Sequence, residues 1–315
     1  MFEYTKAELA QKANEINFVR DTLEKVVRLT EILKYLNSNP LTKENLVLKG
    51  GTAINLTVFN LPRLSVDIDL DFAQNLSRDD MTRAREQIRD DIKIYMATQG
   101  YAISPQSKSY HSLDSFVFTY INLGGTNDNI KIEINYSLRA HIFAPSLREI
   151  SVPGIAGNAL ISTLLPMELF AAKINALLGR AAARDLYDIH NMIKFGLFDE
   201  SELPLLRKCV VFYTAISQEK IPSEYDFKRF NAITSRRIKT DLLPVLQKGE
   251  FFDLAYVKNE VSVFLKELLV LEEDERKFLS EFKEKRYVPE LIFADKGILD
   301  RIKSHPMALW KIRNL

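Results

Sequence analysis

One stretch of the chain has residue types and spacing suited to chemistry. Lys49-Gly50-Gly51-Thr52-Ala53 is followed closely by Arg63-Leu64-Ser65-Val66-Asp67-Ile68-Asp69-Leu70-Asp71-Phe72. Glycines let a phosphate approach the backbone, and a helix N-terminus behind them favours negative charge. The Thr52 hydroxyl can donate to a phosphate oxygen. Residues two apart on a strand share a face, so Asp67, Asp69 and Asp71 project together. Like charges this close raise one another's pKa unless a cation offsets them. Mg²⁺ suits that role, being held by a few carboxylates plus substrate phosphates. A phosphate cradle beside an acidic strand is what nucleotide transfer needs. The loop is not a Walker loop, because no Gly-Lys-Ser/Thr follows, and it does not match GxGxxG.

The elements that must position these residues can be read from periodicity. Residues 6–37 have apolar positions at helical spacing, which predicts a helix or helix pair that stops at Asn37-Ser38-Asn39-Pro40. Leu46 to Leu48 lead into the glycine pair, and Thr52 to Phe59 form a short helix. Ser65 to Phe72 is the acidic strand, with Val66, Ile68, Leu70 and Phe72 on its apolar face. Ser77 starts a charged helix that runs to about Gln99. Asp114–Leu123 and Ile130–Tyr136 read as a hairpin across Gly124 to Asn129. Lys131, Glu133 and Asn135 share one side of its second strand. If that strand lies beside the acidic one, Glu133 is the third carboxylate of a metal site. Pro145 to Asn158 reads as irregular.

From Pro166 the chain reads as helical, with further helices at about 183–196, 201–219, 226–248 and 252–287. A boundary near 155–165 gives two domains, 1–160 mixed and 161–315 helical. With 43 Lys+Arg against 42 Asp+Glu, a globally basic nucleic-acid binder is excluded but a local basic groove is not. Residues 207–239 hold eight cations against three acids, with aromatics between them, which suits an RNA backbone or plain solvated helix faces. A single cysteine, Cys209, rules out an internal disulfide framework and fits a reducing cytoplasm. No apolar run is long enough for a membrane helix, and the N-terminus lacks the order of a signal peptide. The four histidines lack zinc-ligand spacing.

These blocks, with Pro166-x-Glu168-Leu169-x-Ala171-x-Lys173 and Arg180-x-x-x-Arg184-Asp185-Leu186-Tyr187-Asp188, resemble the nucleotidyltransferase toxins of the AbiEii type, related to the MenT toxins. The resemblance runs over roughly residues 45–195 and again at His305-Pro306 with Trp310. It implies an α+β fold: a polymerase-β-like nucleotidyltransferase core, a mixed sheet flanked by helices, with a helical C-terminal domain. It also implies Mg²⁺ or Mn²⁺ on Asp67 and Asp69, with Glu133 as the candidate third ligand. Gly50, Gly51, Thr52, Arg63, Ser65 and Lys173 would bind an NTP, and Lys173, Asp185 and Asp188 would join the catalytic set. Asp71 falls outside that pattern, as a solvated or supporting acid.

The implied activity is transfer of NMP from an NTP to an acceptor hydroxyl, the tRNA 3′ end by resemblance, which inhibits growth. The implied partner is a cognate antitoxin encoded by a neighbouring gene. Two competing readings are transfer to a protein hydroxyl and a catalytically silent binding module. A plainer alternative for Lys173 is a lysine snorkelling from an apolar face. The plainer alternative for Arg184, Asp185 and Asp188 is a surface ion-pair set worth under about 1 kcal/mol.

Overall fold

The computed structural model describes residues 3–59, 61–150, 152–155, 158–222 and 224–315. Two compact units emerge. The first comprises Met1–Arg139, Pro145–Leu164 and Pro244–Glu250, and the second Ala140–Ala144, Leu165–Leu243 and Phe251–Leu315.

The first unit is built on a mixed sheet. Its strands are β1 (Leu46–Lys49), β2 (Asp67–Phe72), β3 (Ala102–Ile103), β4 (Lys108–Ser109), β5 (Leu113–Ile121), β6 (Asn127–Asn135), β7 (Ser146–Ile150) and β8 (Ala159–Thr163). Their order is β3-β5-β6-β2-β1-β8-β7, with β4 paired to β5. The acidic strand β2 is central, antiparallel to β1 and parallel to β6. Ile68, Leu70 and Phe72 alternate with its acids and are buried, as are Ile130, Ile132 and Ile134 of β6. Each such side chain contributes roughly 1.5–3 kcal/mol. The alternation thus fixes which face the acids take, because a one-residue slip would expose this core.

Helices α1 (Lys6–Glu15), α2 (Arg20–Ser38), α3 (Pro40–Asn45), α4 (Gly50–Ala53) and α5 (Arg78–Thr98) complete the unit. The long pair α2 and α5 covers the apolar face. Arg85 of α5 forks onto the fully buried Asp114 of β5 at 2.9 and 2.7 Å, and Arg28 of α2 stacks over the Tyr120 ring of β5. Tyr35 of α2 stacks on Tyr95 of α5 and donates to Asp91. Ser77 caps α5 by accepting from the Asp80 amide.

Several sequence expectations change. The hairpin turn spans Asn122 to Thr126, because Ile121 pairs with Asn127, so the connection is shorter than the six residues expected. The stretch read as irregular contains β7, whose Ser146–Ile150 pairs with β8; Ser151, Ala156 and Gly157 lie outside the described residues. Neither strand has a clean period-two apolar pattern, since β8 gains its place from the parallel partner β1. Past Ala53 the backbone widens into a π turn at Ile54–Val58.

The second unit is helical: α6 (Pro166–Arg180), α7 (Ala183–Lys194), α8 (Leu203–Ser217), α9 (Ser235–Arg237), α10 (Leu254–Leu268), α11 (Glu273–Lys283), α12 (Lys296–Ile302) and α13 (Pro306–Asn314). Pro166 sits in the first turn of α6, and Pro306 follows the His305 cap of α13. Helix α6 packs against α7 and α8. Glu168, in the first turn of α6, is fully buried and accepts from the amides of Ile142 and Phe143 and from the Tyr213 hydroxyl. Two long helices expected here are broken. Residues 226–248 form short 3-10, α and π turns. Residues 252–287 form α10 and α11, separated at Glu272, which opens a capping box with Glu275. Among the described residues, no helix is long and apolar enough to cross a membrane.

Candidate active site

In the sheet unit, strand register assembles the acids. Asp69 lies between Lys49 on β1 and Glu133 on β6, and Asp67 lies beside Lys131. Gly50 follows β1 with φ of +70°, a conformation that favours glycine. A methyl group at Gly50 would stand 2.4 Å from Asp69 Oδ2, so the bare backbone closes directly onto that carboxylate. A methyl group at Gly51 would stand 2.7 Å from Arg63 Nη2 and 3.2 Å from Ser65 Oγ. The two glycines therefore do different work: Gly50 admits Asp69, and Gly51 admits Arg63.

Three residues expected at a nucleotide face inward. Arg63 is only 2% exposed and donates from Nη1 to the Leu64 carbonyl. Thr52 is fully buried; its hydroxyl donates to the Asp67 carbonyl and lies 2.9 Å from the Ser65 hydroxyl. Thr52, Ser65 and Arg63 lock the start of β2 under the glycine loop, which leaves backbone rather than the Thr52 hydroxyl to meet a phosphate. Asp71 is not solvated. It is 1% exposed and paired to Lys49 Nζ. Burial pushes its pKa up, and Lys49 opposes that shift without cancelling it.

The sequence reading assigned no role to Lys131. Its Nζ lies 2.8 Å from Glu133 Oε1. Burial lowers its pKa, but the bonded Glu133 and the charges of Asp67 and Asp69 more than reverse that, leaving it above the usual lysine value. The signal was present in the strand alternation, since Lys131 and Glu133 share a face.

In the helical unit, α6 and α7 meet at a sharp corner. Ala181 takes a left-handed conformation, with φ of 49°. This corner brings Lys173 Nζ to 3.0 Å from Asp185 Oδ1 and 3.2 Å from Asp188 Oδ2. Lys173 is 8% exposed and both aspartates are at most 1% exposed, which excludes the snorkelling lysine and the surface ion-pair set. Arg180 adds a fork onto Asp185 at 2.7 and 3.0 Å. Burial would push the Asp185 pKa up, but Lys173 and Arg180 overcome it and hold it near 2. The two acids that spacing could not separate both converge on one lysine. Arg184 Nε donates to the Asp241 carbonyl at 2.7 Å.

The donor set fits a hard divalent cation only in part. Among the described residues, no three His, Cys, Asp or Glu side chains converge into a complete metal site. Two strand aspartates with substrate phosphate oxygens would suffice for Mg²⁺, which keeps few protein ligands.

Residues 31–286 match the family described as nucleotidyl transferase AbiEii toxin, type IV TA system. This chain belongs to the AbiEii nucleotidyltransferase toxin family. The fold agrees. MenT4, a nucleotidyltransferase toxin from Mycobacterium tuberculosis, superimposes with a TM-score of 0.63 at 18% identity, covering 98% of this chain and 99% of that one. No curated protein matches. As an AbiEii member the chain is an NTP-dependent nucleotidyltransferase of a toxin–antitoxin class, and its mixed sheet with flanking helices is the α+β fold expected.

Proposed function

We propose that this AbiEii protein transfers NMP from an NTP to the 3′ end of tRNA, in the cytoplasm, and is restrained by an antitoxin encoded nearby. The observation that carries the nucleotide half is the seating of Gly50 against Asp69, with Asp67 and Glu133 in adjacent register positions. A bare backbone beside carboxylates suits a metal-bound triphosphate. Asp67 and Asp69, with Glu133 as third ligand, would hold Mg²⁺ or Mn²⁺, which would activate the acceptor hydroxyl and offset charge on the pyrophosphate. Gly50 and Gly51 offer backbone to the triphosphate, while Arg63, Ser65 and Thr52 fix the strand beneath. Lys173, ion-paired with Asp185 and Asp188, would supply positive charge to the transferred phosphate.

The helical unit supports an RNA acceptor. Of the basic residues at 207–239, Arg207 is consumed by Glu272 and Glu275. Lys220, Lys228, Arg229, Arg236, Arg237 and Lys239 are exposed. Their segment is tied to the α6–α7 corner, because Arg229 donates to the Gly179 carbonyl and Arg184 to Asp241. Phe212, Tyr213 and Phe230 are buried, so they serve the core rather than base stacking.

The test incubates the full chain with Mg²⁺ and each labelled NTP, in the presence of tRNA and of total protein. Label on tRNA that disappears with Asp67→Ala/Asp69→Ala is the expected result. Label on a protein instead overturns the tRNA reading. Undiminished growth inhibition by the double variant overturns the catalytic reading. Arg236→Gln/Arg237→Gln should weaken tRNA binding and flatten its salt dependence by a slope of about two.

A further inference from the structure

The acidic face of the sheet contains its own cation. Asp67 and Asp69 on β2 face Lys131 and Glu133 on β6, position for position. Adjacent strands lie about 4.8 Å apart, so these four side chains form a tight square of three acids and one base. Lys131 is committed within that square, with Nζ 2.8 Å from Glu133 Oε1. The next cation along the face, Lys49, is taken by Asp71. The Lys131 and Glu133 side chains are 39% and 28% exposed. A pair so open to water contributes little to folding and exchanges partners readily. A carboxylate oxygen in an ammonium hydrogen bond is a poorer ligand for a divalent cation, because the two positive charges compete and repel. A polyphosphate, with several charged oxygens, is a stronger partner for that ammonium than one carboxylate is.

We propose that Lys131 is a built-in competitor for the third carboxylate: its ammonium holds Glu133 away from a divalent cation until a polyphosphate draws it off. Metal and nucleotide binding are then coupled through one side chain, each favouring the other. This inference rests on the reading of Asp67, Asp69 and Glu133 as the cation-binding acids. It adds a device that keeps the acids occupied by the chain's own charge until substrate arrives.

The experiment measures binding to the full chain, apart from activity. Mn²⁺ alone is titrated by electron paramagnetic resonance into the parent, Lys131→Met, Glu133→Gln and the double variant. Inorganic triphosphate alone is titrated calorimetrically without metal. Lys131→Met should bind Mn²⁺ roughly tenfold more tightly than the parent, reflecting removal of one close charge. That gain should shrink to under about twofold when Glu133→Gln is already present. Lys131→Met should also bind triphosphate several-fold more weakly. Unchanged or weaker Mn²⁺ binding by Lys131→Met overturns the proposal, as does an equal gain in the Glu133→Gln background or an unchanged triphosphate affinity. An Asp67→Asn/Asp69→Asn variant that binds Mn²⁺ like the parent instead overturns the assignment of the acids, which separates the two failures. Circular dichroism of each variant confirms folding.

Discussion

Asp71 of the sheet and Asp185 of the helical unit are both 1% exposed and both touch a lysine, yet their acidities move in opposite directions. Asp71 has one cation, Lys49, and burial wins, so its pKa rises. Asp185 has Lys173 and the forked Arg180, and the two cations win, holding it near 2. One partner does not repay the desolvation of a carboxylate here, and two do. The same contrast separates the two acid sets at large. The helical set is a network of buried acids in which Lys173 and Arg180 keep Asp185 ionised. The sheet set is less enclosed: its Lys131–Glu133 pair has side chains 39% and 28% exposed.

The sharpest way to break that contrast is Lys173→Met. It leaves Asp185 and Asp188 buried without their shared ammonium, and should cost about 3–5 kcal/mol in urea unfolding and abolish transfer. The Lys173→Met/Asp188→Asn variant should regain much of the stability and none of the activity. Asp69→Asn is expected to do the opposite. Transfer of labelled NMP should fall at least about a hundredfold, while stability stays within about 1 kcal/mol.

Acidity tests the contrast directly. The folded pKa of Asp185 lies below its unfolded value of about 3.9. Its contribution, about 2 kcal/mol, is present above pH 4 and is lost as pH falls towards 2. Carboxyl carbon NMR should show it still ionised at pH 3. Gly50→Ala combines positive φ with a clash at Asp69 and should cost about 1–2 kcal/mol, read by thermal melting. The smallest effect is Asp71→Asn. Because the raised pKa of Asp71 already opposes folding as pH climbs, its removal should change stability by under about 1 kcal/mol.

Much of the sheet unit could be read from the chain. The alternation in Asp67 to Phe72 and Ile130 to Asn135 set both strands and their faces, because a period of two has only two solutions. Ser77 marked a helix start as a cap and Pro166 as a first-turn proline, while His305-Pro306, read as a late turn, proved to open α13. The breaks within 226–248 and at Glu272 were missed although local signals mark them: the Thr234 cap, Pro244 and the Glu272/Glu275 capping box. Strands β7 and β8 lack an apolar period in the sequence, and β8 joins the sheet through the distant β1.

The sequence by itself nominated candidate residues: the glycine pair, the alternating aspartates and Glu133 through residue type and spacing, and Lys173 with the Asp185/Asp188 pair through the resemblance to the AbiEii family. Tertiary structure alone decided what each one faces. Register set Glu133 beside Asp69 and gave Lys131 a carboxylate to hold. Packing turned Thr52, Ser65 and Arg63 inward, and the turn at Ala181 buried two aspartates on one lysine. Those outcomes depend on partners brought together from distant positions, and spacing along the chain does not specify them.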